Sequence, residues 1–210
     1  AFAEGVQHSR SGRLAAVASR SQESADRFAD QFGGIANRHP SYDLLLEDPD
    51  VEAVYIATPH PMHKEWAIRA AQAGKHILCE KPIGMDLDEA EQIIAAAREN
   101  DVFLMEAYMY RCSAQTAEIV RLISEGAIGE VKSIEASFSF DIGPNPDGRH
   151  LNKALGGGGI LDVGGYPMSM AMLVAGVACG KGYAEPDAIK AVGHLGETGV
   201  DEYTSAVALF

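Results

Sequence analysis

The sequence predicts an α/β fold in which a doubly wound parallel sheet precedes an α+β domain with a mainly antiparallel open sheet. In the first half, apolar β-type runs alternate with helical segments of about 10 to 15 residues, as right-handed βαβ crossovers require. Beyond residue 110, β-type runs follow one another without intervening helices, which is typical of antiparallel sheets. We therefore predict one domain over residues 1–110 and a second over residues 111–210.

The elements of the first half are predicted from apolar periodicity and from residues that cap helices. The β-type runs occupy residues 13–19, 51–59, 75–82 and 102–108. The helices between them occupy residues 21–34, 41–49, 63–74 and 85–100. Ser21 is a suitable N-cap, and Asp86 and Glu89 have the spacing of a capping box.

In the second half, a helix over residues 113–126 precedes a segment in which apolar and polar residues alternate, residues 130–142. This period of two predicts a strand with one wet face. A loop rich in Gly, Pro and Asn follows over residues 143–159, and its four consecutive glycines indicate flexibility or a close backbone approach. The remaining elements are a helix at 166–176 and β-type runs at 188–195 and 202–210.

Composition and charge limit the class of partner. The formal net charge of −13 argues against nucleic acid or an anionic membrane surface, since both need a basic face. No apolar stretch approaches the roughly 20 residues of a membrane span, and no signal peptide is evident. Three widely spaced cysteines, expected to be buried fillers, favour a reducing, cytoplasmic location. Small molecules remain as the expected partners.

A charged pair, Glu80 and Lys81, stands between an apolar run and Pro82. Proline cannot donate to a sheet ladder, so the pair is predicted to lie at the exit of a strand. In open α/β sheets, ligands bind outside the carboxyl ends of the strands. This strand exit is therefore a candidate binding site.

Five motifs carry a resemblance to a known family. They are ATPHPMH (57–63), CEKP (79–82), FLMEAYMYR (103–111), GEVKSIEASF (129–138) and GGGGILDVGGYP (156–167). In order and spacing they resemble the motifs of the Gfo/Idh/MocA oxidoreductases. Within that family, the sequence is most similar to the branch of dihydrodiol dehydrogenases and NADP-dependent D-xylose dehydrogenases.

The resemblance implies a Rossmann-like domain that binds NAD(P) and a C-terminal domain whose open sheet covers the nicotinamide and mediates homo-oligomers. The glycine-rich turn that binds the pyrophosphate in such domains is absent, so the parallel sheet is expected to be incomplete at its N-terminus. We expect the chain to be part of a longer protein, truncated at both ends.

The chemistry of alcohol oxidation needs a proton acceptor at the hydroxyl that loses its hydrogen. A lysine beside a tyrosine can serve, because an ammonium favours phenolate and lowers the tyrosine pKa. Lys81 and Tyr166 are the candidates, and the resemblance assigns them the proton-handling role. Asp162, four residues before Tyr166, is placed to hold Lys81 or the substrate hydroxyl. Alternatively, Lys81 is a surface lysine paired with Glu80, Tyr166 a packing residue and Asp162 a helix cap.

The cofactor-binding candidates lie mainly at strand ends. The resemblance implies roles at the dinucleotide or nicotinamide for Thr58, Pro59, His63, Glu80, Lys81, Pro82, Glu106 and Arg111. Glu106 and Arg111 are alternatively a surface ion pair. His60 and His63 have a spacing that a metal can use, but no third ligand accompanies them, so we predict no metal site and interpret His60 as a solvated loop residue.

The cofactor is predicted to be NADP, with NAD as an alternative. Ser19 and Arg20 follow the first β-type run, where NAD enzymes commonly carry an acidic residue that binds the ribose. An arginine there suits a 2′-phosphate, although it is alternatively an exposed residue near a helix N-terminus.

The sequence thus predicts an NADP-dependent oxidoreductase acting on a sugar or a cyclic polyol or diol. One alternative is a non-catalytic cofactor- or sugar-binding sensor of the same fold. Another is an inositol or amino-sugar dehydrogenase that uses NAD. Arg149 and His150, in the polar loop, are candidates for substrate contact, although a polar loop supplies such residues by default.

Overall fold

The computed structural model describes residues 2–210, which form two compact units. The first unit comprises the chain up to Ile56 together with Lys64–Cys79 and Glu91–Met105. The second comprises Ala57–His63, Glu80–Ala90 and Glu106–Phe210. Residues that directly follow the strands of the first unit therefore belong to the second. The domain boundary near residue 110 stays a prediction.

The first unit is built on short parallel strands. β1 pairs in parallel with β2, β3 pairs in parallel with β4, and β5 lies next to β4. Their bounds are β1 Ala16–Ala18, β2 Asn37–His39, β3 Ala53–Ile56, β4 His76–Cys79 and β5 Leu104–Glu106. The predicted parallel α/β pattern is confirmed, although the strands form a two-stranded and a three-stranded sheet and are shorter than the apolar runs suggest.

Helices precede and connect these strands, and two of the helices begin at the expected caps. Their bounds are α1 Phe2–Gln7, α2 Gln22–Phe32, α3 Tyr42–Leu46, α4 His63–Gln72 and α5 Leu87–Glu99. The Ser21 side chain accepts from the main-chain N–H of Ser24 at 3.3 Å, and Gly33 ends α2 with a φ of 65°. Asp86 accepts from the N–H of Glu89 at 2.9 Å. Both predicted N-caps are confirmed.

The core of the first unit consists largely of small residues on helices. Ala25 and Ala29 on α2 and the alanines of α4 are fully buried, which allows helices to approach the strands closely. Ile77 on β4 and Ile93 on α5 supply the larger buried side chains.

The strand β2 was not predicted, because its three residues are polar. Asn37 and His39 both contact the Asp48 carboxylate, through Nδ2 at 2.7 Å and Nε2 at 2.8 Å. The bond from His39 is the main cause that lowers the pKa of Asp48. The strand is thus held by hydrogen bonds to a neighbouring loop. Because these bonds need polar residues, the sequence of the strand shows no apolar alternation.

The second unit contains two helices and an antiparallel ribbon. α6 (Ala114–Ser124) packs against α7 (Gly165–Ala178). β6 (Ala188–Leu195) pairs antiparallel with β7 (Asp201–Leu209), as the last two β-type runs predict. A π-helical turn at Ile160–Gly164 leads directly into α7.

The alternating segment 130–142 is not a strand, and that prediction is wrong. A strand needs a partner, and within the described residues β6 and β7 pair only with each other. The segment is largely exposed, but the Phe138 ring lies 5.5 Å from that of Tyr166.

Two expectations about composition also need correction. Cys79 is buried as expected, but Cys112 and Cys179 are exposed. The helical segment Lys153–Ala178 is long and apolar enough to cross a membrane by length and composition alone. Core helices of soluble proteins pass the same test, so this is weak evidence.

Candidate active site

The candidate site is built from residues that follow β3, β4 and β5, and His63 joins two of these strand ends. Its ring nitrogens lie 2.9 Å from the carbonyl oxygen of Thr58 and 2.7 Å from that of Pro82. The His63 side chain is fully buried, at 0% exposure. Both partners are carbonyl oxygens, which can only accept, so a ring N–H is the donor wherever a hydrogen bond forms, and the ring lies between the two strand ends.

The third strand end is joined by Glu106. Its Oε1 accepts a hydrogen bond from the main-chain N–H of Ile83 at 2.8 Å. Burial raises the pKa of Glu106, and the bond from Ile83 and the charges of His63 and Lys81 oppose this only in part. The alternative of a surface ion pair with Arg111 is not supported, because the exposed Arg111 guanidinium lies over the Tyr110 ring at 6.0 Å.

Lys81 reaches Asp162. Its Nζ donates to the main-chain carbonyl of Asp162 and lies 3.4 Å from Oδ1 of the same residue. The side chains of Lys81 and Asp162 are only 15% and 10% exposed. Glu80 instead accepts from the main-chain N–H of Lys81 at 3.3 Å. Lys81 is therefore not a surface lysine.

Asp162 lies in the π-helical turn and has three basic side chains near its carboxylate, those of Lys81, Arg149 and His150. Arg149 donates to Oδ1 at 3.1 Å, and Nε2 of His150 is 3.7 Å from Oδ2. Burial acts to raise the pKa of Asp162, but the bond from Arg149 and the charges of Lys81 and Arg149 outweigh it, so the pKa lies below its usual value. The side chain is thus an ionised partner for Lys81 at neutral pH and not a helix cap.

Tyr166, the second residue of α7, stands against Lys81. The Nζ of Lys81 is 5.4 Å from the centroid of the Tyr166 ring, and the rings of Tyr108 and Tyr110 pack 5.2 and 6.1 Å from it. Burial raises the pKa of Tyr166, and the negative charges of Glu80 and Asp162 raise it further. The expectation that a neighbouring ammonium lowers this pKa is wrong, because burial and the two carboxylates dominate.

A cleft of about 260 Å³ borders Tyr166. Tyr110, Phe138, Pro167 and Met170 are among the other residues that line it. One side of the tyrosine therefore meets Lys81, and another meets a cavity with largely apolar walls.

The four glycines at 156–159 form a close junction. A Cβ at Gly156 would lie 2.7 Å from the sulfur of Met85 and 3.1 Å from the His60 ring. Of the two alternatives drawn from the sequence, close backbone approach is correct. The interpretation of His60 as a solvated loop residue is wrong, because the residue is partly buried with Nδ1 at 3.2 Å from the Gly156 carbonyl. Burial lowers the pKa of His60.

Two of the predicted cofactor-binding residues lie in the first unit, and two residues that contact the candidate site were not predicted. Ser19 and Arg20 belong to the first unit, where the N–H of Ser19 donates to His39 and Arg20 is exposed. Sequence reasoning did not identify Tyr108, whose hydroxyl lies against Gly165, or Asp201, which contacts the π-helical turn. Tyr108 lies within the motif FLMEAYMYR, which could have indicated it, whereas no local pattern distinguishes Asp201. Among residues 2–210 no group of three or more His, Cys, Asp or Glu side chains is arranged to hold a metal.

Comparison with known proteins gives the family. Residues 1–108 match the Gfo/Idh/MocA model described as an oxidoreductase family with an NAD-binding Rossmann fold, and residues 116–210 match the Gfo/Idh/MocA C-terminal domain. An uncharacterized oxidoreductase of Rhizobium meliloti is 39% identical over 198 residues, covering 94% of this chain and 57% of that protein. Trans-1,2-dihydrobenzene-1,2-diol dehydrogenase of Xenopus tropicalis is 40% identical over 195 residues, covering 93% and 56%.

Solved structures agree with this. A 3-ketoreductase from Actinomadura kijaniata, in complex with NADP and TDP-benzene, superposes with a TM-score of 0.80 at 35% identity, over 98% of this chain and 61% of that one. An aldose-aldose oxidoreductase from Caulobacter crescentus, complexed with glycerol, gives a TM-score of 0.77 at 30% identity, over 95% and 60%. The chain thus spans somewhat more than half the length of these relatives. With both of its halves matched, the chain belongs to the Gfo/Idh/MocA family of oxidoreductases.

Proposed function

We propose that the complete protein is an NADP-dependent oxidoreductase that transfers a hydride between nicotinamide and a sugar or a cyclic polyol or diol. The observation that carries this proposal is the convergence of Lys81, Asp162 and Tyr166 beside the strand ends. Relatives named as a diol dehydrogenase and a 3-ketoreductase support the substrate class.

The residues at the strand ends fit a dinucleotide. The Thr58 hydroxyl is buried and has no hydrogen-bond partner among the described residues, so it offers a polar group to a ligand at this edge. The nicotinamide half of the site would be lined by Thr58, Pro59, Glu80, Pro82, Glu106 and Arg111, and the buried His63 would hold the Thr58 and Pro82 strand ends in place. Ser19 and the exposed Arg20 would bind the ribose 2′-phosphate, which favours NADP over NAD.

The bound nicotinamide supplies or accepts the hydride, while side chains of this chain handle the proton on the substrate oxygen. Because its pKa is raised, Tyr166 is a neutral phenol at neutral pH and can donate its proton to a carbonyl oxygen that becomes an alcohol. The ammonium of Lys81 stabilises negative charge on the same oxygen. Asp162 holds Lys81 in place through its main-chain carbonyl and its carboxylate.

In the oxidative direction the same groups act in reverse. The alcohol proton passes to the Tyr166 oxygen once that phenol has lost its own proton, and a carbonyl product forms as the carbon loses hydride. A tyrosine with a raised pKa is rarely deprotonated near pH 7, so these residues favour reduction at neutral pH. Arg149, exposed and bound to Asp162, is suited to contact hydroxyl groups of the substrate.

We further propose that the complete protein is a cytoplasmic homo-oligomer that assembles through its C-terminal sheet, and that nucleic acid and membranes are not its partners. Exposed apolar side chains on the ribbon support the assembly, with Val192 and Val207 at 75% and 78% exposure. The three free cysteines and the net charge of −13 support the location and the absence of nucleic acid. The Rossmann-like domain would span residues 1–110 and the substrate domain residues 111–210.

The test is an assay of the complete protein with NADP and a panel of aldoses and diols, followed by nicotinamide absorbance. We expect turnover on at least one substrate, with NADP preferred over NAD. Tight cofactor binding without turnover would favour the sensor instead. Turnover confined to NAD with inositol or an amino sugar would favour that alternative chemistry.

A further inference from the structure

Asp201, the first residue of β7, contacts the turn that carries the candidate catalytic groups. Its Oδ2 accepts a hydrogen bond from the main-chain N–H of Ile160 at 2.8 Å. Ile160 opens the π-helical turn that contains Asp162 and leads into α7, where Tyr166 lies. A carboxylate from the ribbon therefore caps the segment that supplies two of the three proposed site residues.

Two glycines make this contact possible. A Cβ at Gly158 would overlap Oδ1 of Asp201, and a Cβ at Gly159 would lie only 3.2 Å from Oδ2. Gly158 also has a φ of 118°, which L side chains rarely adopt. The carboxylate faces the N-terminal end of a helical segment, where free N–H groups and the helix dipole favour negative charge.

The position of this turn determines the position of Lys81. The main-chain carbonyl of Asp162 accepts directly from the Lys81 ammonium, so a shift of the turn moves the acceptor as well as the carboxylate. The ammonium also lies against the Tyr166 ring, on the helix that continues from the turn.

We propose that Asp201 is a positioning residue, which fixes the π-helical turn so that Asp162 holds Lys81 against Tyr166. Its effect on turnover rests on the proposed function, whereas its effect on the geometry of Lys81 does not. The proposal needs no direct contact between Asp201 and Lys81 or Tyr166. Asp201 acts through its hydrogen bond with the Ile160 N–H.

The geometric test measures how fast a lysine-selective acylating reagent modifies Lys81 in the complete protein, followed by peptide mass spectrometry. Lys75, whose Nζ donates to the carbonyls of Asp48 and Val51 at 2.8 Å each, is the internal control. In Asp201→Ala, labelling of Lys81 should accelerate several-fold while that of Lys75 is unchanged. Asp201→Asn should restore slow labelling, because the amide oxygen can still accept from Ile160.

Glu202→Ala is the matched variant, because it removes the neighbouring carboxylate of β7 and leaves the bond to Ile160 intact. It should not alter the labelling of Lys81. An unchanged Lys81 rate in Asp201→Ala, or equal acceleration of Lys75 and Lys81, would overturn the proposal. If Asp201→Ala does not fold, Asp201→Glu, which displaces the carboxylate by one methylene, should accelerate Lys81 labelling, and an unchanged rate there would overturn it too.

Kinetics separate this proposal from the proposed function. In Asp201→Ala, kcat should fall about tenfold while KM for NADP stays within about twofold, because a small misplacement of reacting groups affects the chemical step. If the wild type shows no turnover but the labelling pattern holds, the oxidoreductase proposal fails and the positioning role stands. If the wild type turns over but the labelling pattern is absent, the positioning role fails and the oxidoreductase proposal stands.

Discussion

The ammonium of Lys81 donates a hydrogen bond to the main-chain carbonyl of Asp162, a residue 81 positions further along the chain. A main-chain acceptor cannot rotate away as a side chain can, so the lysine is located by the path of the π-helical turn. The Asp162 carboxylate adds charge to this arrangement, since its Oδ1 lies 3.4 Å from the same nitrogen. The proposed site thus depends on backbone geometry as much as on its side chains.

Removal of the Tyr166 hydroxyl should abolish most turnover. Tyr166→Phe keeps the ring that packs against Tyr108 but loses the proton donor, so kcat should fall by about 100-fold or more. KM for the cofactor should change little. Tyr110→Phe is the matched control, because its hydroxyl bonds to Ser169 at 2.7 Å, and it should keep most of the activity. Equal losses in the two variants would contradict the role of Tyr166.

The two directions of reaction should differ in their dependence on pH. The pKa of Tyr166 lies above its ordinary value of 10.0, so the phenol stays protonated throughout the neutral range. We expect kcat for reduction to be constant between about pH 6 and 9, and kcat for oxidation to rise with pH across that range. Steady-state rates in both directions test this. An oxidation rate that reaches its plateau below pH 8 would show that another group is titrating.

Cofactor choice should respond to Arg20. Arg20→Asp replaces a cation with an anion where the 2′-phosphate is proposed to bind, so the Kd for NADP should rise roughly tenfold or more while that for NAD changes less. Titration of the complete protein with each cofactor measures both values. Arg27→Asp, on the exposed face of α2, makes the same charge change and should leave the NADP preference intact. Equal losses of affinity for both cofactors in Arg20→Asp would refute the assignment.

Glu106 should limit stability at neutral pH. Its folded pKa is raised above the unfolded value, so the folded state loses stability as pH rises through the folded pKa and the buried carboxylate ionises. Glu106→Gln keeps an acceptor for the Ile83 N–H without the charge, and should raise Tm by about 2–4 °C at pH 7. The gain should disappear near pH 4, where the wild-type carboxyl is protonated.

A control for this measurement is Glu118→Gln on α6. The Glu118 carboxylate is exposed and its pKa is lowered by the bond from Arg121, so this substitution should not raise Tm. A similar gain in both variants would show that relief of general negative charge, and not of burial at Glu106, is the cause.

Local signals predicted much of the first half of the chain. Ser21 and Asp86 cap helices from their own sequence context, and continuous apolar runs marked β3 and β4. The strand β2 was not predicted, because it is held by hydrogen bonds to Asp48. Such bonds leave no periodic pattern in the sequence. The segment 130–142 has the alternation of a strand, but alternation does not supply a partner, and the described chain pairs it with none.

The proximity of three candidate residues was predictable, but their electrostatics were not. Motif order placed Lys81, Asp162 and Tyr166 among the candidates, and the structure brings them together. The direction of the Tyr166 pKa shift follows first from burial and then from the charges of Glu80 and Asp162, and the sequence does not show how deeply the tyrosine is buried. His60 was misread for a similar reason, since its burial comes from a glycine junction far along the chain.

The crowding around Gly156 and Gly158 determines where this scaffold can be diversified. A side chain at either position would meet Met85, His60 or Asp201 and would need a backbone conformation that L residues rarely adopt, so substitutions there should be strained. The exposed loop at 144–147 contains no glycine and leads through Gly148 to Arg149. An engineer seeking a new substrate range would randomise that loop and keep the glycines fixed.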